Sequence, residues 1–415
     1  MKIAGIVSEF NPFHKGHRYI CEEVKAQTGA EAVVALMSGN FVQRGEPAIF
    51  DMGIRAEAAL NNGCDVVFEL PPDIAVSSAE GFSRGAIDIF NSLGIDILSF
   101  GSECGDIHVL NTIAGLLANE SPEYKKALNT CLKGGLSFPA AREEALLSTI
   151  KTDDIENANV LRDILNDPNN ILGIEYLKAL ISSGSKITPF TIKRAVTGYH
   201  SGGSESNGTS EIPGYSAEEL RHHIFMNNSL FGQTSDPVLK YIDDAVVKDG
   251  TVDKDRLSML LCNELNSPFL IDDLKVIKIP EDLSKRIIKN RNFVGSFSDF
   301  CALIKSKNIT YTAVSRYLLR LTLNIGSYNG NPPRYVRLLG FRKKNEKALT
   351  AISERSKIHI LTNSSDIRDY LKSNPSDEGL NTHLRVDRTY ELLRDDKKRK
   401  EHPLPPEISR KLIII

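Results

Sequence analysis

The stretch Ile3-Ala4-Gly5-Ile6-Val7-Ser8-Glu9-Phe10-Asn11-Pro12-Phe13-His14-Lys15-Gly16-His17 decides how this chain is read. Ile3 to Val7 is a short apolar run suited to a strand, and the residues from His14 onward have the character of a helix start. Two imidazoles and a glycine therefore fall where a strand hands over to a helix. The first N–H groups of a helix lack internal partners, and the helix dipole is positive at that end, so such a junction attracts anions. Gly16 lets the backbone come close, and histidines three apart can both donate to phosphate oxygens. The competing reading is a solvated or capping histidine pair. Position favours the anion site, because open α/β sheets place ligands at the carboxyl ends of their strands.

Working outward, the first 200 residues alternate β-like runs with amphipathic helical stretches, the pattern of a parallel sheet flanked by helices. Strands are expected at Lys2 to Val7, Ala32 to Met37, Asp65 to Leu70, Ile95 to Phe100 and Thr188 to Lys193. Asp51 is suited to cap a helix that stops at Gly63, and Ser78 one that stops near Gly94. A helical stretch from Ile107 to Ser183 is broken at Gly134-Gly135 and Pro168. Ser201 to Ser210 holds no apolar residue and reads as a surface loop near the ligand. Helices then dominate to Ile325, and a turn-rich break from Gly326 to Pro333 precedes a mixed segment with a β-like run at Ile358 to Leu361. The expected organisation is an α/β N-terminal Rossmann-like domain over 1–200, a mainly helical basic region over 201–330 and a small mixed segment over 331–415.

Composition is that of a soluble globular protein, with 41% hydrophobic and 25% charged residues. No 18-residue apolar stretch or secretory leader is evident, so a cytoplasmic protein without a membrane partner is expected. The six cysteines form no C-x-x-C pair, which argues against a zinc ribbon and for reduced, mostly buried thiols. The net charge of −2 conceals an asymmetry: Leu283 to Lys344 holds thirteen Lys or Arg against one acid, Asp299. A block so one-sided suggests a polyanion-binding face, with Lys285, Arg286, Lys289, Arg291, Arg316, Arg320 and Arg337 as candidate RNA contacts. The alternative is that these cations pair with acids elsewhere in the fold.

Three further stretches belong near the anion site. Gly101 follows the fourth expected strand and would let an adenine or ribose approach the backbone. Asn169 and Asn170 open a helix, where one can cap and the other can bind the base or ribose. Lys193-Arg194 ends the fifth strand, where fixed cations would hold a triphosphate and stabilise departing pyrophosphate.

The spacing His-x-Gly-His resembles the signature of the nucleotidyltransferase superfamily, and the chain as a whole resembles the tRNA(Met) cytidine acetate ligase family. The resemblance runs through Ile3 to His17, Met37-Ser38-Gly39-Asn40-Phe41-Val42-Gln43-Arg44-Gly45-Glu46-Pro47-Ala48, Phe100-Gly101-Ser102-Glu103 and Pro168-Asn169-Asn170-Ile171-Leu172-Gly173. It continues at Ile192-Lys193-Arg194, Tyr199-His200 and Arg337-Leu338-Leu339-Gly340-Phe341, covering nearly the whole chain. The resemblance implies a ligase in which acetate attacks ATP to give acetyl-adenylate and pyrophosphate, after which the acetyl group passes to N4 of the wobble cytidine of elongator tRNA(Met). It implies ATP contacts at Val7, Ser8, Glu9, Phe10, Asn11, Pro12, Phe13, His14, Lys15, Gly16, His17, Arg18, Tyr19 and Ile20, together with Gly101, Asn169, Asn170, Lys193 and Arg194. His14, His17 and Lys193 would carry the chemistry, with Mg²⁺ on the triphosphate and the anticodon arm on the basic region. Ser216-Ala217-Glu218-Glu219-Leu220-Arg221 matches a second phosphate motif only in part, since Glu218 stands where relatives have a hydroxyl. Two other classes compete: an adenylyltransferase of a small phosphate-bearing metabolite, and an RNA-binding protein with a vestigial nucleotide domain.

Overall fold

A computed structural model describes residues 1–149, 158–194, 216–227, 236–403 and 410–415. The strands in chain order are β1 (Ile3–Ser8), β2 (Ala32–Ser38), β3 (Phe41–Val42), β4 (Glu46–Pro47), β5 (Val66–Leu70), β6 (Ile97–Ser102), β7 (Thr188–Lys193), β8 (Tyr335–Phe341), β9 (His359–Leu361) and β10 (Ile413–Ile414). The main sheet has the order β10-β8-β5-β2-β1-β6-β7, with β9 also paired to β8. β1 runs parallel to both β2 and β6, so the chain goes first to one side of β1 and later to the other. That reversal opens a crevice at the carboxyl end of β1, where the His-x-Gly-His motif begins.

Alternation along the strands divides the core between the two faces of the sheet. Ile3, Ala32, Val34 and Leu36 pack on one face with Phe82, Phe90 and Ile174. Ala4, Ile6, Val33, Ala35 and Met37 pack on the other with Phe13, Cys21 and Leu60. Both faces are covered, which explains why β2 reads as a continuous apolar run. The five expected N-terminal strands are present within two residues at either end. The helical stretch from Ile107 resolves into Ile107–Ala118, Pro122–Lys133, Phe138–Thr149, Ala158–Asn166 and Pro168–Ser183, interrupted as expected near Gly134 and at Pro168.

The sheet does not end with the first 200 residues. Tyr335–Phe341 lies antiparallel against β5 and carries β9 and β10 on its outer side, so the segment beginning at 331 completes the N-terminal sheet and makes it mixed. All seven residues of β8 are buried, Arg337 among them. A cation inside a strand contradicts local hydrophobic patterning. It is accommodated here because Nη1 of Arg337 meets Glu69 Oε2 at 3.0 Å and Asp387 Oδ2 at 2.6 Å, acids from two distant parts of the chain.

The helical region builds its own core around Leu261, Leu283, Phe297, Phe300, Val314 and Leu318, and Phe41 of β3 inserts into it. The β3–β4 hairpin thus joins the crevice to the helices. Gly45 at its tip has φ +80°, and a Cβ there would lie 2.3 Å from the backbone nitrogen of Arg316, so only glycine fits. Ser315 Oγ donates to the Gly45 carbonyl at 2.8 Å and closes the joint. The loop expected at Ser201 to Ser210, and Tyr199-His200, lie outside the described residues.

Candidate functional site

The motif helix Lys15–Thr28 begins with His14 as its N-cap. Nδ1 of His14 accepts a hydrogen bond from the Gly16 N–H at 3.0 Å, and Nδ1 of His17 accepts one from the His14 N–H at 3.2 Å. A Cβ on Gly16 would sit 2.8 Å from the His14 ring, so this glycine makes room for the imidazole itself rather than directly for a ligand. Backbone N–H groups can only donate, which requires both Nδ1 atoms to be unprotonated. In the neutral rings the proton is therefore on Nε2 of each. The rings stack with centroids 3.8 Å apart and 28° between planes. Capping and ligand binding are thus compatible, since Nδ1 caps the helix while Nε2–H remains for an anion.

Electrostatics keep these donors uncharged. Burial, reinforced by Arg194 and Arg221, lowers the His14 pKa to about 4. His17 is held well below the ordinary histidine value by burial, then by His14 and Arg194. Phe10 and Phe13, both fully buried, back the pair: Phe10 meets His17 edge-on at 4.9 Å and Phe13 lies 5.4 Å from the same ring. Arg194 and Arg221 are thus the cations that act on the imidazoles, with Arg221 Nη1 donating to the Asn11 carbonyl at 2.5 Å. Ser216 caps the helix that carries Arg221, and Glu218 turns away to pair with Arg44 at 3.1 Å. The acid that departs from the second phosphate motif is neutralised in this way.

On the β6–β7 side, Glu103 organises the carboxyl ends of the strands. Its Oε1 accepts from Asn169 Nδ2 at 2.5 Å and lies 3.6 Å from Arg194 Nε, and its Oε2 accepts from the Asn170 N–H at 3.1 Å. Asn170 is buried, and its Oδ1 accepts from the Cys104 N–H, so its role is to bind the strand end to helix Pro168–Ser183. Gly101 lies under the Arg194 stem and Ile20. Lys193 is exposed beside the Gly105 turn, and no acid among the described residues pairs with its ammonium.

The Val7 to Ile20 run is not uniformly directed into the crevice. Arg18 is exposed and pairs with Glu22 at 2.8 Å, and Lys15 pairs with Asp236 at 2.9 Å. Arg55 escaped sequence reasoning. It is buried, donates to the carbonyls of Glu9 at 2.6 Å, Ser38 at 3.0 Å and Phe50 at 3.0 Å, and also to that of Gly39, holding the end of β1 against the loop after β2. One arginine on an otherwise ordinary helix gives no sequence signal for such a role. Glu103, by contrast, stands inside a stretch that carried the family resemblance.

The basic region divides into two classes. Arg337 is inside the sheet, and Arg320 is buried with Nη2 donating to the Ile277 carbonyl at 2.6 Å and to Ser327 Oγ at 2.5 Å. Neither is available to an external phosphate, which corrects their assignment to the RNA-binding face. Arg316 is half-buried and donates to the Gln43 carbonyl at 3.3 Å as part of the hairpin joint. Lys285 and Arg286 pair with Glu281 at 2.7 Å and Asp282 at 3.2 Å, acids lying just before the counted block. Lys289, Lys305 and Lys307 are exposed and Arg291 half-exposed, with no acid partner among the described residues.

Glu69, His383 and Asp387 form the one cluster of potential metal ligands found among the described residues. The Arg337 guanidinium already bridges its two carboxylates, so a divalent cation does not fit there. Among the described residues no helix is long and apolar enough to cross a membrane.

Comparison with known proteins agrees with this geometry. Residues 1–403 match the family described as HIGH Nucleotidyl Transferase. A tRNA(Met) cytidine acetate ligase of Halothermothrix orenii is 37% identical over 375 residues, 87% of each chain. One from Thermoanaerobacter sp. is 38% identical over 390 residues, covering 90% of this chain and 91% of the relative. The crystal structure of Thermotoga maritima TmcAL bound with alpha-thio ATP superposes with a TM-score of 0.85 at 28% identity, covering 100% of both chains.

Proposed function

Because the chain belongs to the tRNA(Met) cytidine acetate ligase family of HIGH nucleotidyl transferases, we propose that it joins acetate to the N4 amine of the wobble cytidine of elongator tRNA(Met) through acetyl-adenylate. The observation that carries this reading is the stacked imidazole pair at the carboxyl end of β1, with both Nδ1 atoms occupied and both Nε2–H groups left for phosphate oxygens.

Acetate and ATP are both anions, and cations must offset their repulsion before reaction. Arg194 at the imidazoles and Lys193 one residue away would supply charge on the nucleoside side, and Arg221 on the other. Acetate oxygen attacks the α-phosphorus, pyrophosphate departs, and the two Nε2–H donors stabilise the charge that builds on the phosphate oxygens. Mg²⁺ would arrive on the triphosphate and offset part of its charge. The N4 lone pair of cytosine is delocalised into its ring, which makes it a weak nucleophile and explains the use of an activated mixed anhydride. The wobble base must leave its stack to reach the crevice, and the exposed cations Lys289, Lys305 and Lys307 with the half-exposed Arg291 would hold the anticodon arm by its phosphates.

Incubation of the protein with ATP, Mg²⁺, acetate and unmodified elongator tRNA(Met) should yield N4-acetylcytidine, AMP and pyrophosphate, read by mass spectrometry of the digested tRNA. Folded protein that leaves the tRNA unmodified, or that transfers AMP to a small phosphate-bearing metabolite instead, would overturn the reading.

A further inference from the structure

Between the β3–β4 hairpin and helix Ala217–Asn227 lies a cavity of about 220 Å³, lined among others by Glu46, Arg221, His222, Phe225 and Lys254. It is smaller than the usual ~300–1,000 Å³ of a small-molecule site, a size suited to a single ring. Its lining is suited to a nucleobase. Phe225 is 40% exposed and His222 is also exposed, giving aromatic faces on which a base can stack. Lys254, whose Nζ donates to the Tyr311 hydroxyl at 3.1 Å, is a second cation of the lining beside Arg221, and of the other lining acids Glu218 pairs with Arg44 and Asp253 accepts from the Asp255 N–H. Glu46 presents a half-buried carboxylate, an acceptor that pairs with the exocyclic amine of cytosine.

The location is as informative as the lining. Arg221 lines the cavity and also holds the motif loop, its Nη1 donating to the Asn11 carbonyl at 2.5 Å and its Nε 4.0 Å from Glu46 Oε1. In the sheet order, Gly101 and Arg194 lie on the β6–β7 side of β1, whereas the hairpin follows β2 on the other side. An adenylate whose adenosine lies toward β6 and β7 would turn its acyl group toward the hairpin.

Resting on the ligase reading above, we propose that this cavity receives the cytosine ring of the acceptor cytidine, and that Glu46 accepts a hydrogen bond from N4–H and selects cytosine against uracil. The N4 lone pair forms the bond to the acetyl carbon while the acyl C–O bond to AMP breaks, its electron pair leaving with the phosphate. The proton lost from N4 passes to the Glu46 carboxylate and then to water. Uracil offers a carbonyl at the same position, and two acceptors facing each other repel.

The test separates the two half-reactions. Acetate-dependent exchange of pyrophosphate into ATP reports adenylate formation, and transfer to tRNA reports the second step. Glu46→Gln should lower exchange by less than about threefold while lowering transfer by about a hundredfold, with partial recovery in Glu46→Asp. A competitor tRNA with uridine in place of the acceptor cytidine should bind the wild-type protein roughly tenfold more weakly than the cytidine form, and Glu46→Gln should erase that preference, because an amide can donate to the uracil carbonyl. Phe225→Ala, altered at an exposed position, should raise KM for tRNA and leave exchange near normal. Equal loss of exchange and transfer in Glu46→Gln, or an unchanged preference for cytidine, overturns the assignment. Wild-type protein that exchanges pyrophosphate but acetylates no tRNA overturns the ligase reading itself, a result visible before any variant is made.

Discussion

The motif loop from Glu9 to His17 and the basic block from Leu283 to Lys344 are both conspicuous in the sequence, yet they behave differently in the fold. In the loop, residues three apart meet through local backbone geometry: His14 and His17 stack because a helix begins there and each Nδ1 takes a nearby N–H. In the block, residues sharing one charge go to different environments. Arg320 and Arg337 are interior struts, Lys285 and Arg286 are paired with acids one turn earlier, and Lys289, Lys305 and Lys307 face solvent. Spacing within one turn is a structural statement, whereas a charge count is only a sum over positions.

The largest effect expected from this contrast is on stability. Arg337→Ala should cost about 3–5 kcal/mol in denaturant unfolding, since it leaves Glu69 and Asp387 buried together without their shared cation. The pH dependence should change as well. Burial alone would raise the Glu69 pKa, but Arg337 and then His383 outweigh it and bring it down to about 2 from 4.5. A carboxylate depressed in the folded state contributes stability that is present above pH 4.5 and is lost as pH falls toward about 2. Without Arg337 that loss should begin at higher pH in acid-unfolding curves. A variant as stable as wild type would mean that the interior cations are as dispensable as surface ones.

Next in size is the motif. His14→Ala should reduce acetate-dependent pyrophosphate exchange about a hundred- to a thousandfold, the scale for losing one fixed donor, with little change in tRNA affinity. Histidine NMR shifts should show His14 titrating near pH 4 in the free protein and moving upward when ATP binds, since a phosphate favours the charged ring. Titration near the ordinary histidine value would remove the picture of neutral Nε2–H donors.

The smallest effect sharpens the division inside the basic block. Removing Lys289 and Arg291 should flatten the salt dependence of tRNA binding, the slope falling by about one unit for each phosphate that is no longer neutralised. Arg320→Ala should lower stability and leave that slope unchanged. Equal slopes in the two variants would mean that the exposed cations do not touch the tRNA.

Much of the architecture was legible because its signals are short-range. The apolar runs of β1, β2, β5 and β6 follow from burial on both faces, and the helix end expected near Gly94 follows from glycine in the left-handed conformation. β8 was not legible as a strand, because Arg337 interrupts its apolar pattern and becomes tolerable only beside Glu69 and Asp387. Asn170 and Arg55 were similarly opaque: the first bonds to the loop after β6 and the second to the carbonyl of Glu9 just after β1 and that of Ser38 at the end of β2.

By itself, then, the sequence determined the strand-to-helix junction that carries the histidine pair, the parallel N-terminal strands and the family, because each depends on residues within a few positions of one another or on long identity with relatives. Only the tertiary structure decided which cations have no acid partner among the described residues, that Asn169 and Asn170 both bond to Glu103, that the C-terminal strands complete the N-terminal sheet, and that a cavity stands beside the motif. Those outcomes turn on partners brought from far along the chain, and the energy of a charge depends on what surrounds it rather than on where it falls in the sequence.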